Sequence, residues 1–371
     1  MSDTKPGNLN DEYAGKTVLV TGHTGFKGSW LTAWLIKIGA NVVGISLDPP
    51  TEPSHFKALG ISKKIKDLRI DIRDRSSIEE AMVNTKPNFV FHLAAQSLVK
   101  KSYDKPIETW QTNVIGTLNI LEALRKLDNR CSAVIITSDK CYKNKEQSAG
   151  YIETDELGGI DPYSASKAAA EIAVHSHINR FFTSKESPVR IATARAGNVI
   201  GGGDWAQDRI IPDCVKKWSQ NLPVNLRNPN ATRPWQHVLE PLSGYLGLAL
   251  ALGEDLQLHG EAFNFGPQPR EDYSVLELVE EMSIHWDKAI WRDVANTSNK
   301  YYETTLLRLN CKKALSFLDW QATMNFKETI KMTAEWYQSF YSKSDLILDI
   351  TNKQIEKYIS LAESKGIQWA Q

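Results

Sequence analysis

At 371 residues and 42% hydrophobic content, the chain can bury one large core or two moderate ones, which points to a cofactor domain with a smaller domain appended and excludes a single small module. Its 44 basic residues cancel its 44 acidic ones without a long block of like charge, which excludes a nucleic-acid footprint and a polybasic membrane anchor. No apolar run reaches the ~18 residues of a membrane span, and Cys131, Cys141, Cys214 and Cys311 lack metal-like spacing, so the expectation is a cytoplasmic protein with reduced thiols and no structural metal.

In chain order, the first strong signal is the apolar run Thr17–Thr21 feeding into Gly22, Gly25 and Gly28 and then into a helical pattern carrying Trp30, Leu31, Trp34, Leu35 and Ile38. That reads as strand, tight turn and helix. The first glycine permits the turn, the second lets backbone approach a pyrophosphate, and the third lets helix pack on strand, with the helix N-terminus facing the phosphates. A tight connection with no ligand is the alternative for an isolated triplet. Residues 40–46 read as a second strand. Where an acidic residue often meets the ribose, the chain has Ser46, with Asp48 two residues on. The absence of an arginine just there favours NAD over NADP. A third strand is expected over 68–74, with Asp71 either accepting from an adenine amino group or capping the helix at 76–84. Residues 89–96 form a fourth strand ending in small side chains that leave room for a ligand backbone, and His92 within it reads as a core histidine.

A long helical pattern from Pro106 through Leu124 leads to a fifth strand, 133–137, and then to Ser138, Asp139 and Lys140. This alternation implies an α/β fold with a doubly wound parallel sheet, whose ligands sit beyond the carboxyl ends of the strands. Asp161 and Pro162 open the next helix, on which Tyr163 and Lys167 share a face. After a sixth strand at 190–195 the alternation stops. The following segments are rich in Gly, Pro, Trp and Arg, so a smaller substrate-binding domain is expected over 198–371, the dinucleotide domain covering 14–197 and the segment 234–258 returning to it. Eleven tryptophans suit core and interface packing.

Tyrosine is a poor base at its ordinary pKa of ~10, but a neighbouring ammonium favours the phenolate. Tyr163 and Lys167 supply that pair beside a dinucleotide site, with Ser138 at the strand end between them. Such a phenolate can take a proton from a sugar hydroxyl while the carbinol hydride leaves.

These motifs, from Lys16 to about Trp336, resemble the extended short-chain dehydrogenase/reductases, in the branch of nucleotide-sugar 4,6-dehydratases. Most of that branch carries Asp-Glu after the strand-five serine or threonine. The Asp139-Lys140 variant, together with the stretches 21–28, 197–205 and 233–238, is similar to the members acting on CDP-glucose. The resemblance implies a Rossmann-type doubly wound parallel sheet with a smaller C-terminal substrate-binding domain, and NAD as cofactor. It implies cofactor contacts at Gly22, Thr24, Gly25, Phe26, Lys27, Gly28, Ser46, Asp71, Ile72, Leu93, Ala94, Ala95, Tyr163 and Lys167. It further implies catalytic roles for Ser138, Asp139, Lys140, Tyr163 and Lys167, with Asp139 as acid for the C6 hydroxyl and Lys140 as either C5 base or charged stabiliser of the enolate. Nucleotide-sugar contacts are implied at Asn198, Arg209 and Arg233. A homodimer or homotetramer built on the helices at 106–127 and 164–181 is implied as well, with neither membrane nor nucleic acid as partner. A 4-epimerase or a dehydratase for another nucleotide sugar is the nearest alternative, and a catalytically silent dinucleotide sensor a more distant one.

Overall fold

The computed structural model describes residues 9–147, 149–183, 187–268, 272–294, 307–343 and 346–370. Six strands follow the expected alternation: β1 (Thr17–Thr21), β2 (Asn41–Ser46), β3 (Lys66–Arg69), β4 (Phe89–His92), β5 (Cys131–Ile136) and β6 (Val189–Ala196). A seventh, Ala262–Phe265, adds to the edge, and the spatial order is Ala262–Phe265, β6, β5, β4, β1, β2, β3, all parallel. The fold is a Rossmann-like doubly wound α/β sheet. β1 stands between β2 and β4, so the crossovers depart in opposite directions there and open a crevice at the carboxyl ends of the strands.

Period-two alternation places the two cores. Val18 and Val20 of β1 join Trp30, Trp34, Leu242 and Leu246 on one face, while Leu19 joins Ile120, Leu121, Val174 and Ile178 on the other. The helix Leu239–Glu254 is buried on most of its surface, largely by leucines, and packs on β5 and β6. Each of its fully buried leucines contributes roughly 1.5–3 kcal/mol. The C-terminal helices Phe326–Ser342 and Ile347–Ser364 pack on each other, and the second lies along the glycine-loop helix Phe26–Lys37. Trp34 meets Tyr358 and Trp369 there with ring centroids 5.9 and 6.1 Å away.

Three local features differ from the sequence expectation. β3 begins and ends earlier than expected, because Asp71 turns the chain by accepting from the backbone N–H of Arg73 and pairing with its guanidinium at 2.6 Å. The cap of the following helix, Arg75–Thr85, is Asp74, which accepts from the Ser77 N–H at 3.2 Å. The long helical pattern after β4 contains a π-helical turn at Gln111–Ile115 between the α-helical segments Pro106–Trp110 and Gly116–Leu124, a distortion common at functional sites. No helix among the described residues is long and apolar enough to cross a membrane.

Candidate active site

Gly22 has φ of 76°, and a Cβ there would stand 2.8 Å from the Ala94 backbone nitrogen. A Cβ at Gly28 would stand 2.0 Å from the Gly22 carbonyl oxygen. Both positions admit glycine alone, which draws β1, the Leu93–Ala95 segment and the helix N-terminus together. Gly25 caps that helix with no side-chain acceptor for its first amides, so these N–H groups are left for an anion. The cradle fits a dinucleotide pyrophosphate. At its far end Thr24 and Ser46 share a hydrogen bond of 2.7 Å, and Thr24 also donates to the Leu47 carbonyl. Asp48 is almost fully exposed, 3.7 Å from Arg69. Asp71 and Ile72 follow β3, and the Ile72 carbonyl accepts from Asn119 at 2.9 Å. His92 is a core histidine: Thr21 and Thr117 satisfy its two ring nitrogens at 2.7 and 3.0 Å.

The chemistry gathers where β5 and β6 end. Ser138 Oγ donates to Asp139 Oδ1 at 2.8 Å and accepts from the Lys140 backbone N–H at 3.2 Å. Both Ser138 and Asp139 are buried, and Lys140 is half-buried beside them. Asp139 lies flat on Gly197, where a Cβ would fall 1.9 Å from its Oδ2. Asn198, at φ of 53°, presents its amide 3.5 Å from that same oxygen. Asp139, Gly197 and Asn198 line a small cleft with Pro234 and Gln236.

The helix Pro162–Phe181 brings Tyr163 and Lys167. It starts sharply because Asp161 accepts from the Ser164 N–H at 2.9 Å while Ser164 Oγ accepts from the Asp161 N–H at 3.2 Å, a reciprocal cap. Burial pushes the Tyr163 phenol up to about 12, against the pull of a hydrogen bond with Ser138 and the charge of Arg209. Burial lowers the Lys167 ammonium to about 8, opposed by Glu171. Its Nζ donates to the Ile136 carbonyl at 3.4 Å. Arg209 reaches the cluster from the start of helix Ile210–Trp218, held by Asp204 at 2.7 Å.

The structure therefore brings Ser138, Asp139, Tyr163, Lys167, Asn198 and Arg209 into one cluster, with Lys140 at its edge. Ser46 and Asp71 stand apart from it, at the carboxyl ends of β2 and β3. Arg233 lies on a two-residue strand paired with Tyr273 and donates to its neighbour Thr232's carbonyl at 2.7 Å.

Sequence reasoning missed three residues. Asn113, in the π-helical turn, clamps the Gln96 backbone and donates to Ser166 Oγ at 2.9 Å, one turn from Tyr163. Glu171 receives a two-pronged contact from Arg195, both arms at 2.9 Å, and hydrogen bonds from Thr137 and Thr193. Burial opposes its ionisation, yet these partners hold its carboxyl below the usual range. Arg195 also donates to the Tyr142 hydroxyl at 2.8 Å, so it ties the Tyr163 helix to the Asp139 turn. Two signals were available: Glu171 continues the Tyr163–Lys167 face by four residues, and Arg195 is a lone charge in an apolar strand.

The family model of GDP-mannose 4,6 dehydratase matches residues 19–333. A CDP-glucose 4,6-dehydratase of Salmonella typhimurium is 42% identical over 352 residues, covering 94% of this chain and 97% of the relative. Among solved structures, the UDP-glucose-4-epimerase of Stenotrophomonas maltophila with bound NAD and formylated UDP-arabinopyranose superposes with a TM-score of 0.75 at 22% identity, covering 89% of this chain and all of that one. The Thermus thermophilus UDP-glucose 4-epimerase complex with NAD gives 0.71 at 24%, covering 87% and 99%.

Proposed function

The chain belongs to the GDP-mannose 4,6-dehydratase family, and from that premise we propose that it is an NAD-dependent hydro-lyase converting CDP-D-glucose to CDP-4-dehydro-6-deoxy-D-glucose. The observation that carries the reading is Asp139 and Tyr163 around one Ser138, an acid beside a proton acceptor, in a chain 42% identical to a CDP-glucose 4,6-dehydratase. A 4-epimerase needs the tyrosine and lysine but no acid and base after the serine.

Gly22, Gly25 and Gly28 hold the pyrophosphate, with Thr24, Ser46 and Asp71 toward the adenosine and Leu93, Ala94 and Ala95 beneath it. What NAD supplies when bound is a hydride acceptor for C4 and later a hydride donor for C6. Tyr163 accepts the O4 proton; burial holds its phenol up at about 12, Ser138 and Arg209 pull it down, and the positive nicotinamide of bound NAD would favour the phenolate further. The resulting 4-keto group acidifies the C5 proton. Lys140 moves that proton or, if it stays charged, stabilises the enolate. Asp139 protonates the departing C6 hydroxyl, releasing water. Asn198, Arg209 and Arg233 take the nucleotide diphosphate, arginine suiting its paired oxygens. We assign cofactor binding to 14–197 with 234–258, and nucleotide-sugar binding to the rest of 198–371.

Assembly as a homodimer or homotetramer is supported by apolar residues left outward on the two helices flanking β5: Ile107, Trp110, Ile115, Ile172 and Phe181 are all exposed. A cytoplasmic place in surface-polysaccharide synthesis accords with four unpaired cysteines and a nucleotide-sugar substrate.

The test is incubation with CDP-, dTDP-, GDP- and UDP-glucose, reading loss of water by mass. CDP-glucose is expected to react, and dehydration of another sugar in its place refutes the assignment. The division of labour follows from two variants. Lys140→Ala should form the 4-keto sugar without losing water, whereas Asp139→Asn should still exchange the C5 proton with deuterium while expelling hydroxyl slowly. Normal C5 exchange in the first and none in the second reverses the roles.

A further inference from the structure

Asp139 and Lys140 share one short 3₁₀ turn, Asp139–Cys141, and that turn is held at its two ends by different groups. On the near side Thr137 is fixed, its N–H donating to the Ala194 carbonyl at 2.9 Å and its hydroxyl to Glu171. Ser138 follows directly from this anchor. On the far side stands Tyr142, fully buried, whose hydroxyl donates to Asn264 Oδ1 and accepts from Arg195 Nη1, both at 2.8 Å. Its ring stacks on Tyr151 with centroids 5.0 Å apart and lies 4.9 Å from the Arg195 guanidinium carbon. Leu307 and Leu309, in the same apolar cluster as that ring, line the cleft with Asp139.

The two partners of the Tyr142 hydroxyl come from separate parts of the fold. Arg195, on β6, grips Glu171 of the Tyr163 helix, and its Nη1 also reaches the Glu153 carbonyl at 2.9 Å. Asn264, on the edge strand Ala262–Phe265, is wholly buried and gives its amide nitrogen to the Tyr151 and Asn310 carbonyls at 2.9 and 3.3 Å. One oxygen therefore relates the Asp139 turn to the helix of Tyr163 and Lys167 and to the sheet edge. A phenylalanine would fill the same apolar cluster with no polar atom to satisfy. What the hydroxyl adds is direction, because a donor and an acceptor on opposite partners fix where the turn points.

We propose that Tyr142 is a positioning residue for the elimination alone: through Arg195 and Asn264 its hydroxyl sets the angle at which Asp139 and Lys140 meet C6 and C5 of the hexose, while Ser138 and Tyr163 are placed without it. The inference rests on the dehydratase reading. Tyr142 is enclosed by protein and moves no proton itself. Loss of its hydroxyl loosens the far end of the turn and leaves the Thr137 anchor in place, so the two halves of the reaction come apart: hydride still leaves C4, and the C5 proton and C6 hydroxyl depart slowly. Displacing a reacting group by about 1 Å costs on the order of 10²-fold, so even a partial shift of the turn is measurable.

The experiment compares wild type with Tyr142→Phe in single turnovers with NAD bound. CDP-6-deoxyglucose, which lacks only O6, reports the first transfer by absorbance at 340 nm and C5 exchange with deuterium by mass, and CDP-glucose reports water loss by mass. The variant should transfer the first hydride within about twofold of wild type and lose about tenfold or more in both C5 exchange and water release. A residue serving stability alone would lower the melting temperature and slow all three steps together. Asn264→Leu, which keeps Tyr142 but removes the acceptor of its hydroxyl, should show the same split to a smaller degree. Equal losses in every step, or in none, overturn the proposal, and so does failure of both variants to fold, which would make the hydroxyl a requirement of the core. A wild type that oxidises CDP-6-deoxyglucose yet dehydrates no CDP-glucose overturns the dehydratase reading, whereas a wild type that dehydrates it beside an unsplit variant overturns only the role of Tyr142.

Discussion

Two polar clusters lie close together at the ends of β5 and β6, and they are built on opposite rules. Around Glu171 every charge is matched: Arg195 grips both carboxylate oxygens, Thr137 and Thr193 fill the remaining positions, and Tyr142 takes another arm of the guanidinium. Around Asp139 satisfaction is looser. Among the described residues its carboxylate takes Ser138 Oγ at 2.8 Å and a long contact from the Asn198 amide at 3.5 Å but no ion pair, while Lys27 and Lys167 have ammonium groups lowered to about 8 mainly by burial. Equal burial with unequal satisfaction separates scaffold from site. A saturated network fixes geometry, whereas an unsaturated one is a set of bonds awaiting a ligand.

Changes in the two clusters should therefore fail differently. The largest effect belongs to Tyr163→Phe, which removes the proton acceptor and should lower turnover by about 10²–10⁴-fold, with CDP affinity and melting behaviour near wild type. Turnover within a few-fold of wild type would erase the distinction from the reactive side. Next comes Arg195→Met, which strands a buried carboxylate and should cost about 3–5 kcal/mol in urea unfolding. A stable Arg195→Met protein would show that the saturated cluster is not scaffold.

The smallest effect sharpens the comparison through pH. Glu240 is a third buried carboxylate, accepting from the Thr323 and Met324 N–H groups and from the Tyr358 hydroxyl. Without a guanidinium, burial pushes it up to about 7 from an ordinary 4.5. The folded state thus binds the proton more tightly than the unfolded chain, so stability should fall as pH rises from about 4.5 to 7 and level off above, by about 3 kcal/mol at most. Glu171 works in the opposite sense, its stabilisation being lost as pH falls through its lowered folded pKa. Denaturation of wild type and Glu240→Gln across this range should show the slope only in wild type.

Much of this was legible in the sequence because it is local. Glycines at 22, 25 and 28, the alternation of strands and helices, and Tyr163 four residues before Lys167 are encoded within a turn or two of chain. What escaped is tertiary. The strand Ala262–Phe265 is only four residues long and carries the polar Asn264. Tyr245 sits in a largely apolar helix, where nothing marks one aromatic among leucines as different until its hydroxyl is found without a partner among the described residues. The end of β3 was misplaced because Asp71 and Arg73 together make a turn that β-propensity cannot show.

The contact between the glycine-loop helix and the far end of the chain bears on how the protein is made. Trp30 donates to the Gly202 carbonyl at 2.8 Å, His55 reaches Thr351, and Trp34 is covered by Tyr358 and Trp369. A nascent chain leaving the ribosome N-terminus first therefore exposes the Trp34 face of the glycine-loop helix until Tyr358 and Trp369 have emerged. The helix behind the dinucleotide cradle is thus written early and covered late, and the half-made chain carries through that interval an apolar face open to holdase chaperones.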